Sequence, residues 1–242
     1  MCYNREEVGE KMRLKHIKGA EEKIKTSPYF IEQPEQYRGS WNQLFKNNQP
    51  IFIEIGSGKG NFIIENAKQH PNYNYIGIDK YPSVLLKATE KLTTLDLPNL
   101  KLLVLDAARI EQVFDHEIDT VFLNFSDPWP KVRHAKRRLT SPEFLERYEP
   151  LFQGNAHIEM KTDNRSLMEY SIMTFTNHGY HIKKINLNLY EQPEEQNIPT
   201  EYELKFSSRG FPIYKIEVEK MTNKLNNIHK TTKKTVSKSA IV

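Results

Sequence analysis

The sequence predicts an α/β protein built on a parallel sheet with helices on both faces. Two observations carry this. From residue 51 onward, short apolar runs alternate with stretches of helical spacing, and strands that alternate with helices form parallel sheets whose crossovers cover both faces. The first run, Ile51-Phe52-Ile53-Glu54-Ile55, is short, apolar and ends in glycines, as a buried strand does.

The elements follow in order. After Ile51–Ile55, Gly60 to His70 has helical spacing of Phe62, Ile63 and Ala67. Tyr75–Ile78 reads as a second strand and Ser83–Leu95 as a helix with Pro82 near its start, where proline's missing N–H costs nothing. Leu100–Leu105 and Thr120–Phe125 are the third and fourth strands. Ser141-Pro142-Glu143 opens a helix, with serine as the N-cap. Ala156–Met160 is a fifth strand, Arg165–Asn177 a helix closed by Gly179, and Ile182–Leu189 and Ile213–Val218 the last two strands. Three regions are expected: an N-terminal extension and arm at 1–49, irregular around one helix, with a flexible polar leader at 1–11 before Met12; a main domain at 50–219; and a basic, disordered tail at 220–242, which holds six lysines and no acid.

The totals set bounds. A chain of 242 residues with 38% hydrophobic and 27% charged residues is long enough for a large core. The mean hydropathy of -0.69 and the lack of a long apolar run exclude a transmembrane helix. No signal peptide opens the chain, and the single cysteine, Cys2, permits no internal disulfide, so the cytoplasm is the expected compartment. A net charge of +4 permits a nucleic-acid partner, and the clustering of the charge must decide.

That clustering is at Asn124-Phe125-Ser126-Asp127-Pro128-Trp129-Pro130-Lys131, followed by Arg133, Lys136, Arg137 and Arg138. A carboxylate and an indole leave a strand end together on a path stiffened by two prolines. A planar polar ligand such as a nucleobase suits the pair, and phosphates suit the cations. Trp129 has two readings, a stacking surface for a base or a hydrophobic plug. The basic run is likewise either a solvated face or a phosphate contact.

Glu54-x-Gly56-x-Gly58-x-Gly60 joins the first strand to the first helix. The phosphate loop G-x-x-x-x-G-K-[ST] is absent, and Asn61 breaks the dinucleotide fingerprint. An acid ahead of the glycines is unhelpful beside a pyrophosphate and welcome beside a cation, which points to S-adenosylmethionine. Asp79 ends the second strand, where an acid accepts ribose hydroxyls. Asp106 ends the third, as an acceptor for an adenine amino group or as an N-cap. The eight histidines show no metal-ligand spacing, so no metal is expected.

These residues resemble the class I S-adenosylmethionine-dependent methyltransferases. The stretch Asn124 to Arg138, with Lys161-Thr162-Asp163-Asn164 and Thr200-Glu201-Tyr202-Glu203, resembles specifically the bacterial tRNA (guanine-N7)-methyltransferases over roughly residues 12–219. The resemblance implies a Rossmann-like, mostly parallel seven-stranded sheet. It implies S-adenosylmethionine as cofactor, held by Glu54, Gly56, Gly58, Asp79, Asp106 and Asp127, with Asp127 catalytic. It implies substrate contacts at Lys131, Asp163, Thr200, Glu201, Tyr202 and Glu203, and RNA contacts at Arg133, His134, Ala135, Lys136, Arg137 and Arg138. The modified base is then the guanine at position 46 of the tRNA variable loop. Partners are tRNA and, at most, a second copy of the chain (monomer or homodimer), with no membrane. Residues 1–11 and the tail after Lys220 extend beyond the family pattern.

Asp163 or Glu203 would accept from the guanine N1–H and amino group, and the acidic loop Glu191–Pro199 is long enough to act as a flap. Guanine N7 carries a free lone pair at neutral pH, so Asp127 is expected to orient and to stabilise charge rather than remove a proton; its other reading is a cap of the proline turn. The alternatives are methylation of an exocyclic amine, whose enzymes carry an Asp/Asn-Pro-Pro-aromatic element where Trp129 replaces the second proline, a non-catalytic RNA-binding module, and a nicotinamide oxidoreductase. The acids disfavour the second, and Glu54 with Asn61 disfavours the third.

Overall fold

The structure, a computed structural model, describes residues 17–221. The leader at 1–11, the segment Met12 to His16 and the tail from residue 222 onward lie outside the described residues.

Two short helices, α1 (Ala20–Lys25) and α2 (Trp41–Phe45), flank a 3-10 turn at Pro34–Tyr37. One helix was expected here; at five or six residues each, both are too short to show a helical period. Burial holds them instead. Trp41 is fully buried, and its indole N–H donates to the Val113 carbonyl at 3.0 Å. Residues 29–31 run along the strand Leu100–Val104, with Leu102 N donating to Tyr29 O and Ile31 N to Leu102 O.

The alternation then unfolds as β1 (Ile51–Ile55), α3 (Asn61–Gln69), β2 (Asn74–Asp79), α4 (Pro82–Leu92), β3 (Leu100–Val104), β4 (Ile118–Asn124), α5 (Pro142–Tyr148), β5 (Phe152–Thr162), α6 (Arg165–Asn177), β6 (His181–Asn186), α7 (Glu201–Ser207) and β7 (Tyr214–Lys220). Further 3-10 turns lie at Ala107–Gln112 and Val132–Arg137. The seven strands form one sheet in the order β3-β2-β1-β4-β5-β7-β6. The pairs from β3 to β5 are parallel, and β7 runs antiparallel to both β5 and β6. Helices α1, α3 and α4 pack Ile24, Ile63, Leu85 and Leu92 on one face. On the other, α2, α5 and α6 pack Trp41, Leu145, Tyr148 and Phe175. The mostly parallel, doubly covered sheet is thus as expected. Among the described residues no helix is long and apolar enough to cross a membrane.

Four details differ from the sequence reading. Strand β5 is longer than expected at both ends: Phe152 pairs with Ile118 of β4, and β7 carries the ladder on through Lys161 and Thr162. Strand β6 stops at Asn186, whose side chain accepts from Asn188 N and donates to Gln192 O, turning the chain away from the ladder. Ser141 precedes α5 but makes no side-chain cap; its hydroxyl donates to Lys136 O. The fourth is α7, which begins with a capping box: Thr200 accepts from Glu203 N, and the Glu203 carboxylate accepts from Thr200 N.

Helix α7 is tied to the sheet by a buried ion pair. Lys161, next to the end of β5, donates from Nζ to Glu203 Oε2 at 2.7 Å, Ile198 O at 2.8 Å and Asn197 Oδ1 at 3.0 Å. All three of its protons are used. Glu203 Oε1 accepts from Asn197 Nδ2 at 2.7 Å. The two side chains are 4% and 0% exposed. Burial pulls the Lys161 ammonium down from its usual value, and Glu203 opposes that pull. The loop read as a flap is therefore pinned at Asn197 and Ile198. Glu203→Ala should lower stability by about 3–5 kcal/mol, because it strands a buried ammonium. In urea denaturation the double variant Lys161→Met/Glu203→Leu should recover much of this; a single-variant loss within ordinary surface range would contradict the pairing.

Candidate active site

In the sheet, β1 has β2 on one side and β4 on the other, so successive connections diverge at its carboxyl end, where open α/β sheets hold ligands. Glu54 lies there, 2% exposed. Its Oε1 accepts from Asn124 Nδ2 at 2.9 Å, at the end of β4. Its Oε2 is buried with no hydrogen-bond partner among the described residues. Burial raises the Glu54 carboxyl to about 7; the Asn124 hydrogen bond and the Lys161 charge oppose this, and Asp79 adds to it. An unpaired buried carboxylate oxygen carries a desolvation cost of about 1–3 kcal/mol or more, so this position fits a ligand that brings a positively charged donor.

The turn beside it fits a closely approaching ligand. Gly56 has φ 82°, and a Cβ there would meet nothing within 4 Å. Gly56 N and Ser57 N both donate to Ile78 O, and the Ser57 hydroxyl is buried without a partner among the described residues. Asp79 braces the turn: its Oδ2 accepts from Gly58 N at 3.0 Å and its Oδ1 from Tyr81 N at 2.9 Å. Burial raises its pKa against the pull of these hydrogen bonds. Asp106 is exposed just past β3 and accepts from Ala108 N at 2.9 Å. The cap read as its alternative role is therefore made. Glu54, Asp79 and Asp106 share one edge of the sheet, as expected.

Asp127 sits on the loop leaving β4, exposed, three residues past Asn124. Two non-glycine residues with left-handed backbones bracket it, Phe125 (φ 52°) and Trp129 (φ 40°). Each such residue costs roughly 1–3 kcal/mol and persists only where neighbours hold it. Phe125 N donates to Lys161 O at 2.8 Å, and its ring lies 4.9 Å from that of Tyr202. Trp129 is half-buried, with the Arg137 guanidinium 4.9 Å over its ring and His134 at its edge.

The basic run divides. Lys131, Arg133, Lys136 and Arg137 are exposed on a 3-10 turn that buries nothing, with Val132 88% exposed between them. His134 and Ala135 are half-buried. Arg138 turns inward: Nε donates to Pro128 O at 3.0 Å, Nη2 to Trp129 O at 3.1 Å, and the guanidinium lies 4.2 Å over the Tyr170 ring.

The tetrapeptide Thr200–Glu203 joins three parts of the site. Glu201 pairs with Lys59 of the glycine turn at 3.2 Å and with Lys91 of α4 at 2.7 Å. Burial opposes its ionisation, but the two lysines outweigh it and hold Glu201 below the usual range. Tyr202 stacks on Phe206 at 4.1 Å. Glu203 corrects the sequence reading. It is no surface acid facing guanine; its oxygens are occupied by Lys161, Asn197 and the Thr200 N–H in the interior. Asp163 is half-buried between β5 and Asn164, the N-cap of α6. Asn124 and Lys59 were missed as site residues, since only the strand register and the ion pair place them there. The capping-box spacing Thr-x-x-Glu could have revealed α7.

Away from these residues, His157, Glu159 and Glu217 bring ligand-type atoms within 4.8 Å of one another. Lys215 pairs with Glu217 at 2.6 Å and Glu159 at 3.4 Å, so an ammonium already answers those carboxylates. None of the expected site residues belongs to this group.

Known proteins resemble this chain in sequence and in fold. The family model described as "Putative methyltransferase" matches residues 48–216. The tRNA (guanine-N(7)-)-methyltransferase of Listeria welshimeri is 49% identical over 210 residues, covering 86% of this chain and 98% of that one. That of a Geobacillus strain is 50% identical, covering 86% and 96%. Among solved structures, the 16S rRNA methyltransferase KamB superposes with a TM-score of 0.59 at 16% identity, covering 76% of this chain and 94% of that one; at that identity it speaks for the fold alone. With the acids on one edge, the prolyl loop beside them and near-complete coverage of these relatives, the chain belongs to the tRNA (guanine-N(7)-)-methyltransferase family.

Proposed function

We propose that the protein transfers a methyl group from S-adenosylmethionine to N7 of guanine 46 in the variable loop of tRNA. The observation that carries this is the pairing of a buried, half-satisfied Glu54 with an exposed Asp127 on the neighbouring strand's loop, backed by exposed cations. The cofactor, when bound, supplies an electrophilic methyl group on a sulfonium. Glu54 accepts from its ammonium, the Gly56–Gly58 turn lets the backbone approach, Asp79 accepts from the ribose hydroxyls and Asp106 from the adenine amino group. Lys131 and the exposed Arg133, Lys136 and Arg137 neutralise phosphates, an interaction that weakens with salt. Asp163 and Tyr202 face the guanine side.

The guanine N7 lone pair is unprotonated at neutral pH, so the nucleophile has no proton to lose. The chain's work is alignment, an effect worth up to about 7–11 kcal/mol. Asp127 holds the guanine in line and faces the positive charge the ring gains. An RNA substrate and the lone cysteine support a cytoplasmic setting. Residues 50–219 form the methyltransferase unit, with 1–49 and 220–242 as its extensions.

Purified protein, unmodified tRNA and methyl-labelled cofactor should place label in 7-methylguanosine; label in N6-methyladenosine, or cofactor binding without transfer, would falsify the reading. Asp127→Ala should bind cofactor and tRNA within severalfold of wild type yet lose about 100-fold in kcat, and unchanged turnover would remove Asp127 from its role. The third test uses pH. Glu54, raised to about 7, must be ionised to pair with an ammonium. Cofactor affinity should therefore climb as pH rises towards 7 and level off above, falling about tenfold per unit below. Glu54→Gln should bind more weakly at high pH with a flatter profile; parallel profiles in isothermal titration would contradict the assignment.

A further inference from the structure

Arg138 is the member of the basic run whose guanidinium points into the protein rather than out. We infer that Arg138 is a positioning residue that fixes the loop carrying Asp127, and is not a phosphate contact. This rests on the functional reading above.

The loop cannot hold its own shape. Pro128 and Pro130 have no N–H to donate, and Phe125 and Trp129 both sit in the left-handed region. The carbonyls of Pro128 and Trp129 need donors from elsewhere. Arg138 meets both at once, with Nε on one and Nη2 on the other. Two donors on one rigid plane fix the relative placement of two consecutive peptide groups, directly after Asp127.

The clamp is itself anchored. The Arg138 guanidinium rests on the ring of Tyr170 in α6. Two residues on, the Thr140 hydroxyl is buried against that of Ser171, also in α6, at 2.7 Å. Arg138 N donates to Ala135 O and Arg138 O accepts from Ser141 N, at 3.0 and 2.9 Å, so the backbone on either side is fixed. A thirteen-residue helix is thereby connected through one side chain to the loop that carries Asp127. Arg133, by contrast, is exposed on the same run and free of any such geometry, which makes it the natural comparison.

The test sets Arg138→Lys and Arg138→Gln beside Arg133→Ala and the wild-type chain. It reads kcat, KM for tRNA, the salt slope of tRNA binding and acrylamide quenching of tryptophan fluorescence. The chain has two tryptophans; Trp41 is fully buried and Trp129 half-buried, so added quenching reports the loop. Lysine keeps the charge but loses the planar fork. Arg138→Lys should therefore lose about tenfold or more in kcat with KM within about twofold, an unchanged salt slope and more accessible indole. Arg133→Ala should show the other split, with a raised KM and a slope shallower by about 0.7 to 0.9. Arg138→Lys with wild-type kcat and quenching overturns the inference, as does Arg138→Gln if its loss lies in KM and salt slope. Should Arg138→Gln fail to fold, Arg138→Lys decides, because it keeps both bulk and charge. A wild-type chain that makes no 7-methylguanosine sinks only the functional reading; quenching needs no substrate and still decides the loop assignment.

Discussion

One buried ammonium organises this protein's ligand edge. Lys161 stands next to the end of β5, and its three protons go to α7 and the loop before it. Its charge also reaches Glu54, two strands away, and favours that carboxylate's ionised form. Its backbone carbonyl receives Phe125 N, the first residue of the loop that carries Asp127. Glu54, the loop of Asp127 and α7 are therefore referenced to the same residue. A buried charge of this kind is expensive unless fully paired, and the full pairing is what makes it a fixed point rather than a weakness.

Around that point the site is built from two kinds of acid. Glu203 is saturated, and its work is structural. Glu54 is half satisfied, with one oxygen bonded to Asn124 and the other left without a partner among the described residues. The same residue type, buried to the same degree, serves opposite ends because Asn124 offers Glu54 one donor while Lys161, Asn197 and Thr200 surround Glu203. Glu201 adds a third case, an ion pair at the border with solvent that joins α7 to the glycine turn through Lys59. Movement of α7 would be felt at once by the turn and, through Tyr202 on Phe125, by the loop of Asp127.

Much of this was legible in the residues themselves. Continuous apolar runs ending in glycine or acid marked β1, β2 and β3, and the acids at their ends share one edge because parallel strands point the same way. Strand register was not legible, so Asn124 could not be assigned to Glu54, nor β7 to its place between β5 and β6. Glu203 was misread because a surface helix and a buried one look alike over seven residues, and its partner lies 42 positions away. Arg138 was grouped with its neighbours because charge runs carry no sign of which side chain turns inward.

The position of β7 has a consequence for how the molecule is assembled. It is the last strand in sequence among those described, yet it is wedged inside the sheet, and β6 joins the sheet only through it. Until residues 214–220 arrive, β5 presents a bare pairing edge and β6 has nothing to dock on. Such long-range closure is slow, and exposed edges invite association with other chains. Synthesis on the ribosome would thus leave the β5 side of the sheet open until residues 214–220 have emerged, so that nascent fragments of this protein are natural clients for chaperones.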